Sequence, residues 1–318
     1  MNILITGIKG EIGQRLSAEL SSRGNAVFGC DLLQSSEESS YTTSVLESSY
    51  SYFQCDIAEY RQLSQMFEHL PKIQFVFNCA AGCGRWGGED FYEPMWTTNV
   101  IGLKNILEIQ KKLGFKLIHF STSEIYGDYG GVLTEDITEK YAVHPYSDYA
   151  ITKYANEMQL KNASKLFGSN NVIVRPFNIF GIGERFSPYR SYISKFIYCC
   201  IKNKPFTVYP NHKRSITYLD DAVRAIANIG NNFINGEIYN ISGDHYQTVL
   251  DTANMIIRLS EANPALMKIE DKYELMTVID KHADNSKAKR DLGYYDSLPL
   301  EDALGITIEW ARTVLSKE

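Results

Sequence analysis

Tyr149 and Lys153 stand four residues apart in the stretch Tyr146-Ser147-Asp148-Tyr149-Ala150-Ile151-Thr152-Lys153. The stretch opens a helix that Ala155, Met158, Leu160 and Leu166 continue. On a helix, residues at that spacing share a face. A phenol with a pKa of about 10 is a poor base at neutral pH, and a cation one turn away favours the phenolate. Such a pair can take a proton from a hydroxyl group, provided that a hydride acceptor lies beside it. The same spacing also occurs by accident in amphipathic helices, so its meaning depends on the elements that position it.

A site for a hydride acceptor is written at the N-terminus. Asn2 to Thr6 reads as a strand, Gly7-Ile8-Lys9-Gly10-Glu11-Ile12-Gly13 as a tight turn, and the chain to about Arg23 as a helix. A second strand, Ala26 to Cys30, ends at Asp31. Glycines in such a turn let the backbone approach a pyrophosphate resting on the helix N-terminus. The expected contacts are therefore Gly7, Gly10, Glu11, Ile12 and Gly13. Asp31 is spaced to bind a ribose 2′-hydroxyl and to repel a 2′-phosphate. No Arg or Lys follows it through Ser51, so NAD is the expected cofactor.

Further strands follow in order. Ser35 to Ser51 reads as a surface loop. Tyr52 to Cys55 leads to Asp56-Ile57, where the acid either meets the adenine amino group or caps the helix starting near Glu59. Ile73 to Cys79 enters Ala80-Ala81-Gly82, small residues suited to backbone passing close to a cofactor. Cys83 to Asp90 reads as a glycine-rich loop on the carboxyl edge of the sheet, where ligands bind. Arg85 within it either reaches an anionic substrate group or faces solvent. A helix with Val100, Leu103, Ile106, Leu107 and Ile109 spaced for burial carries Asn99 in its apolar face. Lys116 to Ser121 ends in Thr122-Ser123-Glu124, read either as a polar turn or as a hydroxyl and a carboxylate for acid/base work. Val172 to Arg175 leads to Pro176-Phe177-Asn178.

The pattern is α/β, a doubly wound parallel sheet over residues 1–180, followed by a smaller α/β substrate lobe over 181–318 interleaved with it. In that lobe Ser191 to Ile201 reads as a helix and His212-Lys213-Arg214 as a basic turn. A helix starts at Asp220, and Glu237 to Ile241 is a strand. Helices at Thr248 to Leu259, Ser286 to Leu292 and Leu300 to Leu315 close the chain.

A chain of 318 residues with 44% apolar and 22% charged residues is ordinary for a globular protein. Its net charge of -6 argues against nucleic acid or an anionic membrane as a partner. No apolar run reaches the length of a membrane span. Met1 leads straight into a strand, which leaves no room for a signal peptide. Six scattered cysteines form no Cys-x-x-Cys metal pattern, and no metal is expected. These features predict a reduced, cytoplasmic protein.

Taken together, the motifs resemble the extended short-chain dehydrogenase/reductases, in particular the NAD-dependent nucleotide-sugar epimerase/dehydratase group with its Rossmann-type sheet. The likeness covers nearly the whole length: the glycine turn, Asp31, Asp56-Ile57, Thr98-Asn99-Val100, Ser121 to Gly127, Tyr149-x-x-x-Lys153, Arg175 to Gly181, Arg214 to Asp221 and Leu292-Gly293-Tyr294. The resemblance implies that Tyr149 removes the proton from a sugar 4-hydroxyl while NAD takes hydride from C4. Lys153 would hold the nicotinamide ribose and keep Tyr149 acidic, and Thr122 would bond the same sugar oxygen. Asn99, Ala80, Ala81 and Pro176 belong to the implied cofactor set. Ser123, Asn178 and Arg214 belong to the substrate set, the last two at the diphosphate. Glu124 resembles the group that takes the C5 proton in 4,6-dehydratases and stands equivalently in uronic-acid decarboxylases. With a C5 carboxylate, Arg85, Arg185 and Arg190 are candidate partners. The reading leans to a lyase; a 4-epimerase is the alternative, with a 4-keto-sugar reductase and a non-catalytic NAD-binding regulator further off. Two departures stand out: Glu11 occupies a place usually held by an apolar aromatic and either points to solvent or weakens NAD binding, and the segment from Arg85 to Glu93 is unusually rich in Trp, Tyr and acid. Relatives commonly form homodimers through helices equivalent to Val100–Ile109 and Ala155–Leu166.

Overall fold

Seven strands, all parallel, lie side by side in the order β11-β7-β5-β4-β1-β2-β3. They are β1 (Asn2–Thr6), β2 (Ala26–Asp31), β3 (Ser51–Gln54), β4 (Phe75–Asn78), β5 (Lys116–Phe120), β7 (Asn171–Pro176) and β11 (Ile238–Ile241). The computed structural model describes residues 1–34, 50–272 and 276–316. Most of the surface loop expected over Ser35 to Ser51 lies outside the described residues.

Successive side chains of a strand point to opposite faces, and both faces of this sheet are buried. Ile3 and Ile5 pack with Leu16 and Leu20 of the helix Glu11–Ser22 and with the helices Leu219–Asn228 and Ser286–Leu292. Leu4 packs on the other face with the helices Tyr60–His69, Gly102–Leu113 and Asp148–Phe167. Helices on both faces make this the doubly wound α/β sheet that the sequence predicts. The strand order reverses between β1 and β4, and a crevice opens there at the carboxyl ends of the strands.

A second sheet joins β12 (His245–Thr248), β10 (Lys213–Tyr218), β14 (Asp280–Ala283) and β6 (Val132–Leu133), with β8 (Ile179–Phe180) alongside β10. β9 (Phe206–Val208) pairs with β13 (Met267–Ile269). The helices Tyr192–Ile201, Val249–Ser260 and Leu300–Leu315 complete a separate core around Phe196, Ile256 and Leu304. The chain threads between the two layers. β6 precedes residue 180 yet belongs to the second sheet, and β11 follows it yet forms the edge of the first.

Several local expectations change. Lys213 and Arg214 begin strand β10, because their backbone pairs with β12 and β14; they are not a turn. Arg85–Asp90 is a short helix where a loop was expected. A Cβ at Gly88 would stand 2.7 Å from the Asp148 Cβ, so glycine lets this helix lie against the one that carries Tyr149. Thr97–Ile101 forms a π turn before Gly102–Leu113. Asp56 does not cap the next helix; its Oδ1 accepts from the Ala58 N–H at 2.8 Å, and Glu59 is the residue at the N-cap.

Candidate active site

The crevice holds a cavity of about 490 Å³ lined by Gly7, Gly10, Asp31, Asp56, Ile57, Ala80, Ala81, Gly82, Cys83 and Arg190 among others. Gly7 has φ 66°, and a Cβ on it would lie 2.7 Å from the Ala80 backbone. Only glycine lets β1 turn this close to the end of β4. Asp31 is anchored before any ligand arrives: Oδ2 accepts from the Lys9 N–H at 3.0 Å and Oδ1 from the Leu32 N–H at 2.8 Å. Burial raises its pKa, and those two bonds oppose the rise. An elongated cavity running from a glycine turn past an acid at the end of β2 fits a dinucleotide.

Beyond that cavity lies a cluster of reactive groups. Ser147 caps the helix Asp148–Phe167 by accepting from the Ala150 N–H at 3.3 Å, which fixes where Tyr149 emerges. Thr122 lies at the end of β5, with its hydroxyl in hydrogen-bond reach of the Tyr149 phenol. The same Oγ1 accepts from the Glu124 N–H at 3.3 Å. Burial pushes the Tyr149 pKa up, with Cys83 and Glu124 acting in the same direction, while Thr122 and Arg190 pull it down. Lys153 is 2% exposed and donates to the Phe120 carbonyl at 2.7 Å. Burial lowers its pKa to about 8. In this structure Lys153 is tied to β5 by that bond, and the Tyr149 pKa stands above its ordinary value.

Glu124 meets a residue that sequence reasoning missed. Lys281 of β14, 2% exposed, forms an ion pair with Glu124 Oε1 across the two layers. Burial alone would raise the Glu124 pKa, yet Lys281, Arg85 and Arg214 together hold it below the usual value. Burial in turn lowers Lys281 to about 8 against the pull of Glu124. Three cations thus surround one carboxylate. No motif marks Lys281; the one signal is that a lysine falls at the buried position of a short strand.

A buried network braces the turn from below. Glu157 accepts from Ser121 Oγ at 2.5 Å and from Arg175 Nε and Nη2 at 2.9 and 2.7 Å. Arg175 Nη1 donates to the Tyr126 hydroxyl at 2.7 Å, and that hydroxyl donates to Asn240 Oδ1 at 2.6 Å. The Ser123–Tyr126 turn that carries Glu124 is thereby locked to β7 and β11.

Other predicted residues lie elsewhere. Asn99 stands behind the cavity wall, bonded to the Gly82 N–H at 2.8 Å, the Gly82 carbonyl at 3.1 Å and Thr152 Oγ1 at 2.9 Å. It fixes the segment after β4 and does not line the cavity. Glu11 does not point to solvent; it is 8% exposed. Ile12 packs on the first core, Gly13 is buried in the helix, and Pro176 pairs with Ile241 at the end of β7. Ser123 is buried at the start of its turn. Asn178 adopts φ 37° and donates to the Ser215 carbonyl at 2.8 Å. Arg214 is buried and donates to the Lys213 and Ile279 carbonyls at 2.7 and 2.8 Å. Arg185 lines a separate cavity of about 130 Å³ with Phe180, Ile193 and Trp310. Arg190, five residues on, is the arginine that faces the large cavity.

The glycine turn, the acid after β2 and the Thr-Tyr-Lys cluster are features of a family, and the chain belongs to it: residues 3–242 match the NAD dependent epimerase/dehydratase family. The protein is an enzyme of that family, with NAD as its cofactor. It is similar to the UDP-glucuronate 4-epimerase of Thermodesulfobacterium geofontis, at 30% identity over 97% of this chain and 95% of that protein. It is 28% identical to the UDP-N-acetyl-alpha-D-glucosaminuronate decarboxylase of Bacillus cytotoxicus, over 98% of each chain. Among solved structures, the UDP-glucuronic acid 4-epimerase of Bacillus cereus in complex with UDP-glucuronic acid and NAD superposes with a TM-score of 0.82. That match has 27% identity and covers 99% of this chain and 100% of that one.

Proposed function

We propose that the protein acts on a nucleoside-diphosphate hexuronate, oxidising it at C4 and then releasing its C5 carboxylate as carbon dioxide. The observation that carries the reading is the group of cations that act on Glu124, namely Lys281, Arg85 and Arg214. A sugar carboxylate offers such cations a charge-assisted partner that a neutral hexose lacks. In this reading residues 1–180 hold NAD and 181–318 supply most of the nucleotide-sugar lobe, with Asn178 and Arg214 at the diphosphate.

NAD, when bound, accepts hydride from C4 and returns it at the end of the cycle. Tyr149 takes the 4-hydroxyl proton, with the Thr122 hydroxyl bonded to the same oxygen, and Lys153 orients the ribose. The resulting ketone makes the sugar a β-keto acid. The bond from C5 to the carboxylate breaks, its electron pair enters the C4–C5 enolate, and Lys281 protonates C5. Tyr149 then returns its proton to the C4 oxygen. Glu124 holds Lys281 in place and keeps it charged. A second reading, 4-epimerisation of the same uronate, is favoured by the likeness to the Thermodesulfobacterium geofontis protein.

The test is to incubate the protein with UDP-glucuronate, UDP-N-acetylglucosaminuronate, UDP-glucose and dTDP-glucose and to follow mass and NMR. Loss of carbon dioxide supports the first reading and an isobaric epimer the second; faster turnover of the neutral sugars sinks both. Lys281→Met is expected to lower decarboxylation ~10²-fold or more while NAD still binds.

Asp31 is proposed to hold the adenosine ribose. Asp31→Ala removes a charged hydrogen-bonding partner, an effect of about 1.5–3 kcal/mol. NAD affinity, measured by calorimetry, is expected to fall about 10- to 100-fold and the preference over NADP to narrow. We further propose a cytoplasmic homodimer. The six cysteines are all free, and no described helix is long and apolar enough to cross a membrane. Leu103, Ile106, Leu107 and Ile109 face the core, so the association surface would be formed instead by exposed Ile101, Ile151, Met158 and Leu166.

A further inference from the structure

Glu11 is the residue of the glycine turn that the chemistry above leaves unused. It begins the helix Glu11–Ser22 and is 8% exposed, and its Oε1 is buried with no hydrogen-bond partner. The segment after β8 carries Glu184 and Arg190, whose charges reach it. Glu184 is 7% exposed and accepts from the Ser191 N–H at 3.2 Å and the Ser191 hydroxyl at 2.9 Å. Arg190 lines the cofactor cavity and lies within electrostatic reach of Glu184, Glu11, Cys83 and Tyr149. On its own helix, Glu11 faces Arg15, which is engaged at 3.2 Å by Asp220 of the helix Leu219–Asn228. Across the turn, the Lys9 backbone N–H donates to Asp31 and its ammonium donates to the Gln34 carbonyl.

A carboxylate with an oxygen buried and unbonded is costly, which favours its protonated form. Burial first, and then the charge of Glu184, raise the Glu11 pKa well above its ordinary value, against Arg190 and Arg15. A dinucleotide pyrophosphate at this helix N-terminus adds negative charge beside both acids. Arg190 is the cation that faces the cavity and the two carboxyls alike.

We propose that Glu11 gates the cofactor site by its proton: only as a neutral acid does it leave Arg190 to the pyrophosphate, so NAD binds with uptake of a proton. This rests on the large cavity being the NAD site. The sign follows from linkage. At low pH Glu11 is neutral and affinity is highest; as pH rises through its folded-state pKa, the new charge competes for Arg190 and repels the ligand. Lys153, at about 8, gives an alkaline loss of the same sign if it holds the ribose. The proposal is therefore carried by the difference between variants and not by the wild-type slope.

The experiment is calorimetric titration of the whole protein with NAD+ from about pH 6 to about pH 9, in buffers of different ionisation heat. On the alkaline limb the dissociation constant should rise up to about tenfold per pH unit for each linked proton. Glu11→Gln should remove one proton of that uptake and bind NAD+ more tightly than wild type at the alkaline end. Glu184→Gln, which removes the repelling charge, should move the limb to lower pH. Profiles of Glu11→Gln and Glu184→Gln that both superpose on the wild type overturn the proposal. No NAD+ binding by the wild type at any pH overturns the cofactor site with it.

Discussion

Tyr149→Phe should lower turnover by about 10²–10⁴-fold, the usual worth of a positioned acid/base group, while the protein melts and binds NAD as the wild type does. The substitution removes one oxygen and keeps the ring. The lost atom is the one in reach of the Thr122 hydroxyl. Single-turnover rates read the chemical step directly, and calorimetry reads binding. Unchanged turnover would transfer the base to Glu124, the other acid/base candidate among the groups that act on Tyr149. As it stands the phenol is held neutral, because burial and the nearby negative charges outweigh Thr122 and Arg190. Ionisation therefore needs a cation brought closer. Lys153 has donors to spare beyond its bond to Phe120, and its loss should slow the same step.

Glu157→Ala should be the most destabilising single change in the site, costing about 3–5 kcal/mol. Arg175 is 0% exposed, and Glu157 is the carboxylate that neutralises it. Alanine leaves the guanidinium charged and buried with its strongest partner gone. The melting temperature is expected to fall by about 4–8 °C, which scanning calorimetry would measure. The double change Glu157→Leu with Arg175→Leu removes both charges and should recover much of the loss. A fall no larger for Glu157→Ala than for an exposed residue would mean that Ser121, Tyr126 and Asn240 hold the turn without the ion pair.

The strands and the glycine turn were legible in the sequence because each is a local pattern: a short apolar run, a breaker, then a helical period. Tyr149 and Lys153 were legible for the same reason, since four residues on a helix determine their own geometry. Lys281 was not. It meets Glu124 across 157 positions of chain, and a pairing so distant leaves no trace in spacing. Arg214 read as part of a turn because three basic residues in a row look solvated, whereas backbone pairing to two neighbours draws it into a sheet. The helix Arg85–Asp90 contradicts the propensity of its two glycines, and close packing on Asp148 overrides that preference. Arg185 and Arg190 are indistinguishable by type; the turn in which the Arg190 N–H donates to the Ser187 carbonyl at 3.2 Å helps to direct them to different cavities.

The interleaving of β6 and β11 bears on how this architecture can diversify. A sheet that receives its edge strand from residues 238–241, and a lobe that borrows a strand from residues 132–133, cannot be exchanged between relatives by one genetic cut. Truncation at residue 180 would leave β7 as a bare edge, open to pairing with other chains. Substitution in place leaves both sheets intact, and Lys281 on β14 is a position where a single codon alters the charge beside Glu124.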